Sequence, residues 1–190
     1  MTRIFFAFIF LFAVILTGIT SKTFGQEFKN GDNVLSLGLG IGSSLGSAGF
    51  TSQSPGISLQ YEHGQWDAGG PGTISIGGFL GFKSYRYEAR YYPYYYSQKY
   101  NYTIIGIRSA YHFNMINVDH LDVYAGLMLS YNILSYTYDG PALYDVSHDN
   151  SYLGLSLYLG GRYYFADNIA GFLELGYGVS YLTIGGSYKF

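Results

Sequence analysis

From Leu35 to the last residue the chain repeats with a period of two. Leu35, Leu37, Leu39 and Ile41 alternate with Ser36, Gly38, Gly40 and Gly42. Successive side chains of a strand point to opposite faces, so this alternation writes one apolar face and one polar face. The same pattern runs from Ile57 to Tyr61, Ile74 to Phe82, Ile105 to Phe113 and Leu121 to Leu129. It returns from Leu153 to Leu159, Leu173 to Val179 and Leu182 to Phe190. The alternation predicts eight strands, an even number. Each is close to the ~9–11 residues that a tilted strand needs to cross a bilayer.

The charges within these strands decide which face is wet. Glu62, Lys83, Arg108, Asp122, Arg162, Glu174 and Lys189 all share the parity of the Gly, Ser and Tyr residues. None falls on the Leu and Ile face. Ile104 breaks the pattern by falling on the charged face, and Arg86 and Glu88 share the parity of Phe82 but lie beyond it. A soluble barrel is apolar inside and spreads charge over its outside. A membrane barrel inverts that arrangement. The expected fold class is therefore all-β: an eight-stranded antiparallel up-and-down transmembrane β-barrel with short periplasmic turns and longer extracellular loops. Gly64-Gln65-Trp66 spells the G-x-W of lipocalins, but it follows the second strand rather than opening the first.

Composition agrees. Charged residues are 12% of the chain, where soluble domains carry roughly 25%. The absence of Cys excludes a disulfide scaffold, a thiol nucleophile and a thiolate metal site. A formal net charge of −2 argues against a nucleic-acid partner.

Residues 1–25 read as a secretory signal peptide. Arg3 precedes an apolar run from Ile4 to Leu16, and Thr23-Phe24-Gly25 offers a cleavage site before Gln26. Residues 26–190 then form one barrel domain. Long connections are expected at about 44–54, 88–100 and 136–150, and short ones at 64–72, 114–120 and 166–168. The alternation of lengths puts the long ones outside the cell and both termini in the periplasm of a Gram-negative envelope. Outer-membrane lipid is the expected surrounding. Tyr111, Phe113, Tyr163, Tyr164 and Phe165 fit an interfacial aromatic girdle. Tyr92, Tyr94, Tyr95 and Tyr96 lie in the second long connection and form an expected extracellular loop surface, available to a ligand.

The last residues, Thr183-Ile184-Gly185-Gly186-Ser187-Tyr188-Lys189-Phe190, resemble the C-terminal signal of outer-membrane barrels. Gly161-Arg162-Tyr163-Tyr164-Phe165-Ala166-Asp167-Asn168, followed by Glu174-Leu175-Gly176-Tyr177-Gly178, resembles the small outer-membrane β-barrel, porin-like family of OmpA- and OmpX-type architecture. The resemblance implies that the barrel-assembly machinery recognises the last strand, with Thr183, Gly185, Tyr188 and Phe190 on the signal positions. It implies fold and location, and no particular activity.

An eight-stranded barrel is just wide enough to be filled by its own side chains. The seven strand charges are therefore expected to form a polar network in the lumen, with Arg162 and Glu174 paired diagonally across neighbouring strands. Such a network is either a structural plug or a gated path for ions. A lipid A deacylase of the His-x-Ser type is not matched at His63, His112, His120 or His148. Asp139, Asp145, His148 and Asp149 gather in the third long connection, without the spacing of a calcium loop. No catalytic residue, metal site or cofactor is expected. The resulting reading is a non-enzymatic barrel with a structural or surface-interaction role. A narrow channel for ions or small solutes is the alternative, and a lipid-modifying membrane enzyme a more distant one.

Overall fold

The computed structural model describes residues 28–43, 45, 52–70, 72–91, 94–116, 118–139 and 150–190. The leader expected over 1–25 lies outside them. The described residues form nine strands in chain order: β1 (Asn33–Ile41), β2 (Ser52–Gln53), β3 (Gly56–Asp67), β4 (Gly72–Tyr91), β5 (Tyr94–Phe113), β6 (Leu121–Asp139), β7 (Asn150–Ala166), β8 (Ile169–Tyr177) and β9 (Leu182–Lys189). β2 is a two-residue strand that pairs with Arg86 and Tyr85 of β4. The other eight close into an antiparallel up-and-down barrel, with β1 lying between β3 and β9 and the ring completed by β4 against β5. Closure satisfies the backbone groups that lipid would leave unpaired at a free edge.

The wall is inside out relative to a soluble barrel. Leu37, Ile107, Leu157 and Leu173 project outward, with Leu157 59% exposed. Glu62, Lys83, Arg108, Asp122, Arg162 and Glu174 are buried within. Trp66 escapes the simple alternation because a bulge between Gly64 and Trp66 shifts the register and turns the indole outward.

The eight strands differ in length, and this shapes one end. β4 and β5 run for 20 residues each, whereas β1 and β8 run for 9. The predicted connection over 88–100 is therefore mostly strand. The ladder continues from Lys83↔Tyr102 through Arg86↔Lys99 and Arg90↔Tyr95 to Tyr91↔Tyr94. Tyrosine is a strong strand former, so the hairpin continues well past the ends of the shorter strands. β6 likewise continues to Asp139, into the connection expected from 136. β4 to β7 thus stand as a wall above the short strands at the loop end. The opposite end, with Asn33, the Gly64–Gly72 region and Phe190, is the turn end.

Candidate functional site

Five of the buried lumen charges form one connected network, and its first link comes from strand register. Asp122 and Arg162 are direct cross-strand partners on β6 and β7. Arg162 Nη1 donates to Asp122 Oδ2 at 2.9 Å, and its Nη2 donates to Glu62 Oε2 at 2.6 Å. Glu62 lies on β3, so that second bond crosses the lumen. The other oxygen of Glu62 is 3.1 Å from Arg108 Nη2. Arg108, on β5, also donates to Glu174 Oε1 on β8 at 2.6 Å and to Gln60 Oε1 at 2.6 Å. Two guanidiniums are thus shared among three carboxylates, and each carboxylate meets at least one guanidinium, which offsets the cost of burying it.

Aromatic hydroxyls complete the layer. Tyr124 donates to Glu174 Oε1 at 2.9 Å, and Arg108 Nε donates to the Tyr158 hydroxyl at 3.2 Å. The Tyr158 and Tyr124 rings also lie 4.1 and 5.0 Å from the Arg108 and Arg162 guanidinium carbons. The glycines on this face make the room. A Cβ at Gly160 would meet the Tyr124 ring at 2.5 Å.

The expected direct pair between Arg162 and Glu174 is not what forms. Both side chains point inward, but opposite Arg162 on β8 stands Phe172, while Glu174 faces Gly160. Arg162 takes the partner directly across on its other side, Asp122, because a facing pair lies closer than a diagonal one. Glu174 is satisfied by Arg108 from across the lumen.

Two of the seven predicted lumen charges stand apart from this layer. Lys83 is near the loop end, where Nζ donates to the Gly42 carbonyl at 2.6 Å and lies 5.5 Å from the Tyr85 ring. Lys189 is half-buried at the turn end, with Nζ 4.4 Å from the centre of the Tyr164 ring. Ile104 is fully buried, and it packs with Tyr85, Tyr102 and Leu45 into an apolar cluster on the loop side of the lumen. Apart from Lys83, the lumen charges therefore lie on the turn side of this apolar cluster.

His112 joins the network beside the seven predicted charges. Its Nδ1 is 2.8 Å from Asp122 Oδ1 and its Nε2 is 3.1 Å from the Ser75 hydroxyl. The three residues lie on three strands, so a scan for linear His-x-Ser spacing does not find them. All three are buried, Asp122 is already held by Arg162, and the chain before β1 covers the imidazole. The arrangement extends the hydrogen-bond network to Ser75. A cavity of about 40 Å³ lies on the loop side of Arg108 and Glu174, bordered by Ser58, Ser156 and Tyr158.

The predicted loop tyrosines are redistributed. Tyr94, Tyr95 and Tyr96 belong to β5 and extend the wall, so they are strand residues rather than loop residues, and Tyr92 lies outside the described residues. Asp145, His148 and Asp149 also lie outside them, and the described residues hold no group of three or more potential metal ligands. At the chain end, Tyr188 and Phe190 project outward with ring centres 6.2 Å apart, and Thr183 and Gly185 face inward on β9.

No protein-family model matches the sequence, and no curated protein matches it. Solved structures do. The N-terminal β-barrel domain of Pseudomonas aeruginosa OprF matches with a TM-score of 0.51 at 12% identity, covering 86% of this chain and 100% of that one. Ail, the attachment invasion locus protein of Yersinia pestis, in complex with the heparin analogue sucrose octasulfate, gives a TM-score of 0.48 at 12% identity, over 85% and 99% of the two chains. Its backbone structure in a phospholipid bilayer nanodisc gives 0.44 at 14% identity, over 85% and 100%. The likeness to the OprF domain is one of fold: this chain is a closed eight-stranded antiparallel barrel of the outer-membrane type.

Proposed function

We propose that the chain is a non-enzymatic barrel of the outer membrane whose role is structural or surface interaction, presented by the β4–β7 wall. The observation that carries this is the mid-lumen lock of Arg108 and Arg162 on Glu62, Asp122 and Glu174. Bonds that cross the lumen in two directions brace its opposite sides against each other, which supports reading the membrane part as a support rather than a pore. The wall supplies the surface. β4 and β5 carry about ten residues more than a bilayer crossing needs, and those residues are rich in tyrosine, a side chain with an apolar body and a polar tip. The apolar band supports insertion in lipid. Residues 1–25 as a leader, and Thr183, Gly185, Tyr188 and Phe190 as the assembly signal, complete the route to the membrane.

Two measurements test this reading. Replacing 88–97 with a two-residue turn removes the top of the wall and leaves the band intact. Binding of the refolded protein to cultured cells or extracellular matrix is expected to fall, and unchanged binding would remove the wall from the account. In planar bilayers the protein is expected to be silent at high loading. Steady unit conductance would instead favour the narrow channel.

A further inference from the structure

The segment before β1 folds back across the turn end and puts one side chain into the barrel. Phe28 is fully buried, and its ring lies flat on the His112 imidazole, with centroids 3.9 Å apart and planes 15° apart. The seat around it is polar. His112 holds Asp122 and Ser75, and the Thr73 hydroxyl donates to the Phe28 carbonyl at 3.4 Å. Lys29, Asn30 and Gly31 are exposed, so among the described residues before β1 Phe28 is the one apolar anchor.

Two backbone bonds hold the strap to β3: Gly31 N donates to Gly64 O at 2.8 Å, and Gly64 N donates to Asp32 O at 2.9 Å. Within the strap, Lys29 N donates to the Asp32 carboxylate at 2.9 Å. Each exchangeable bond of this kind contributes only about 0.5–1.5 kcal/mol net. The strap also needs a bare backbone beneath it, because a Cβ at position 64 would collide with the Lys29 carbonyl oxygen. An apolar ring on a polar seat is a combination that water can replace: withdrawal leaves hydroxyls and imidazole that a few waters satisfy. A ring on an apolar seat would leave a dry void.

We infer that Phe28–Asp32 is a removable stopper, which seats an aromatic ring on His112 and, when withdrawn, opens the charged half of the lumen to small solutes from the turn end alone. On the loop side Tyr85, Tyr102 and Ile104 pack with Leu45 at the far end from the strap, and the proposal leaves that cluster in place. The opening therefore gives access to Ser75, His112 and Asp122 without making a through pore. This inference does not rest on the surface role of the wall.

Carbethoxylation of the full barrel refolded in detergent, read by mass spectrometry, tests it. In the wild type, His112 is expected to react far more slowly than His120, which sits exposed in a turn, and its rate is expected to be insensitive to low urea, as for a local opening. Phe28→Ala is expected to speed His112 labelling about tenfold or more. Gly64→Val is expected to do the same by displacing the Lys29 carbonyl while keeping Phe28. Heat-modifiable gel mobility verifies that each variant is folded. The stopper is overturned if His112 reacts at the wild-type rate in folded Gly64→Val protein, or if wild-type labelling rises steeply with urea and so requires global unfolding. Should Phe28→Ala fail to fold, Gly64→Val and the urea dependence decide the matter.

Discussion

Asp122 and Arg162 face each other directly across β6 and β7, and the 2.9 Å bond between them ties the wall to a layer of charge inside it. Both side chains are almost wholly buried. Removing one partner from such a pair leaves the other charged and unpaired, at a cost of about 3–5 kcal/mol. Arg162→Ala is expected to lose stability on that scale, because Glu62 and Asp122 both lose a partner. Urea titration of the heat-shifted gel band measures it. A loss well under 1 kcal/mol would mean that water reaches the network.

Packing inside the lumen makes a second prediction. Gly160→Ala pushes a Cβ against the Tyr124 ring and threatens the Tyr124–Glu174 bond. The expected cost is about 1–3 kcal/mol, the usual range for overpacking. Gly78→Ala, on the outer face, is the control for the backbone effect alone, since a Cβ there meets nothing within 4 Å. Equal effects at the two positions would contradict the packed lumen.

The outer face has its own test. Leu157 projects outward near the middle of the apolar run from Leu153 to Leu159. In lipid, Leu157→Arg is expected to cost about 2–4 kcal/mol, measured by reversible unfolding into and out of vesicles. An exposed site in water would tolerate the same change within about 0.5 kcal/mol.

The wall above the membrane is expected to behave in the opposite way. Arg86 and Glu88 lie 3.6 Å apart with roughly half-exposed side chains. Arg86→Gln is expected to change stability by no more than about 1 kcal/mol, as for exposed ion pairs generally. A loss as large as that of Leu157→Arg would place this part of β4 inside the bilayer.

The period of two was enough to determine the faces. Leu153, Leu155, Leu157 and Leu159 point outward because a pleated strand leaves them no choice, and Arg162 on the opposite parity points inward for the same reason. Even the exceptions had local causes. Trp66 follows a bulge, which adds one residue and flips the parity, and Ile104 packs in an apolar layer that parity alone does not reveal. Strand ends were less legible around 88–100, because the tyrosines that suit an interface also suit a ladder.

Partner choice belonged to the tertiary structure. Arg108 meets Glu174 from β5 to β8, and Arg162 meets Glu62 from β7 to β3, strands that are not neighbours in the wall. Those contacts depend on how far the closed sheet brings its opposite sides together. Phe28 reached His112 by the same route, through a fold-back that no alternation encodes. The sequence by itself determined which side of each strand is wet, since side-chain direction is a property of the local backbone. Barrel closure decided which buried charges and rings meet, since that is a property of distances across the lumen.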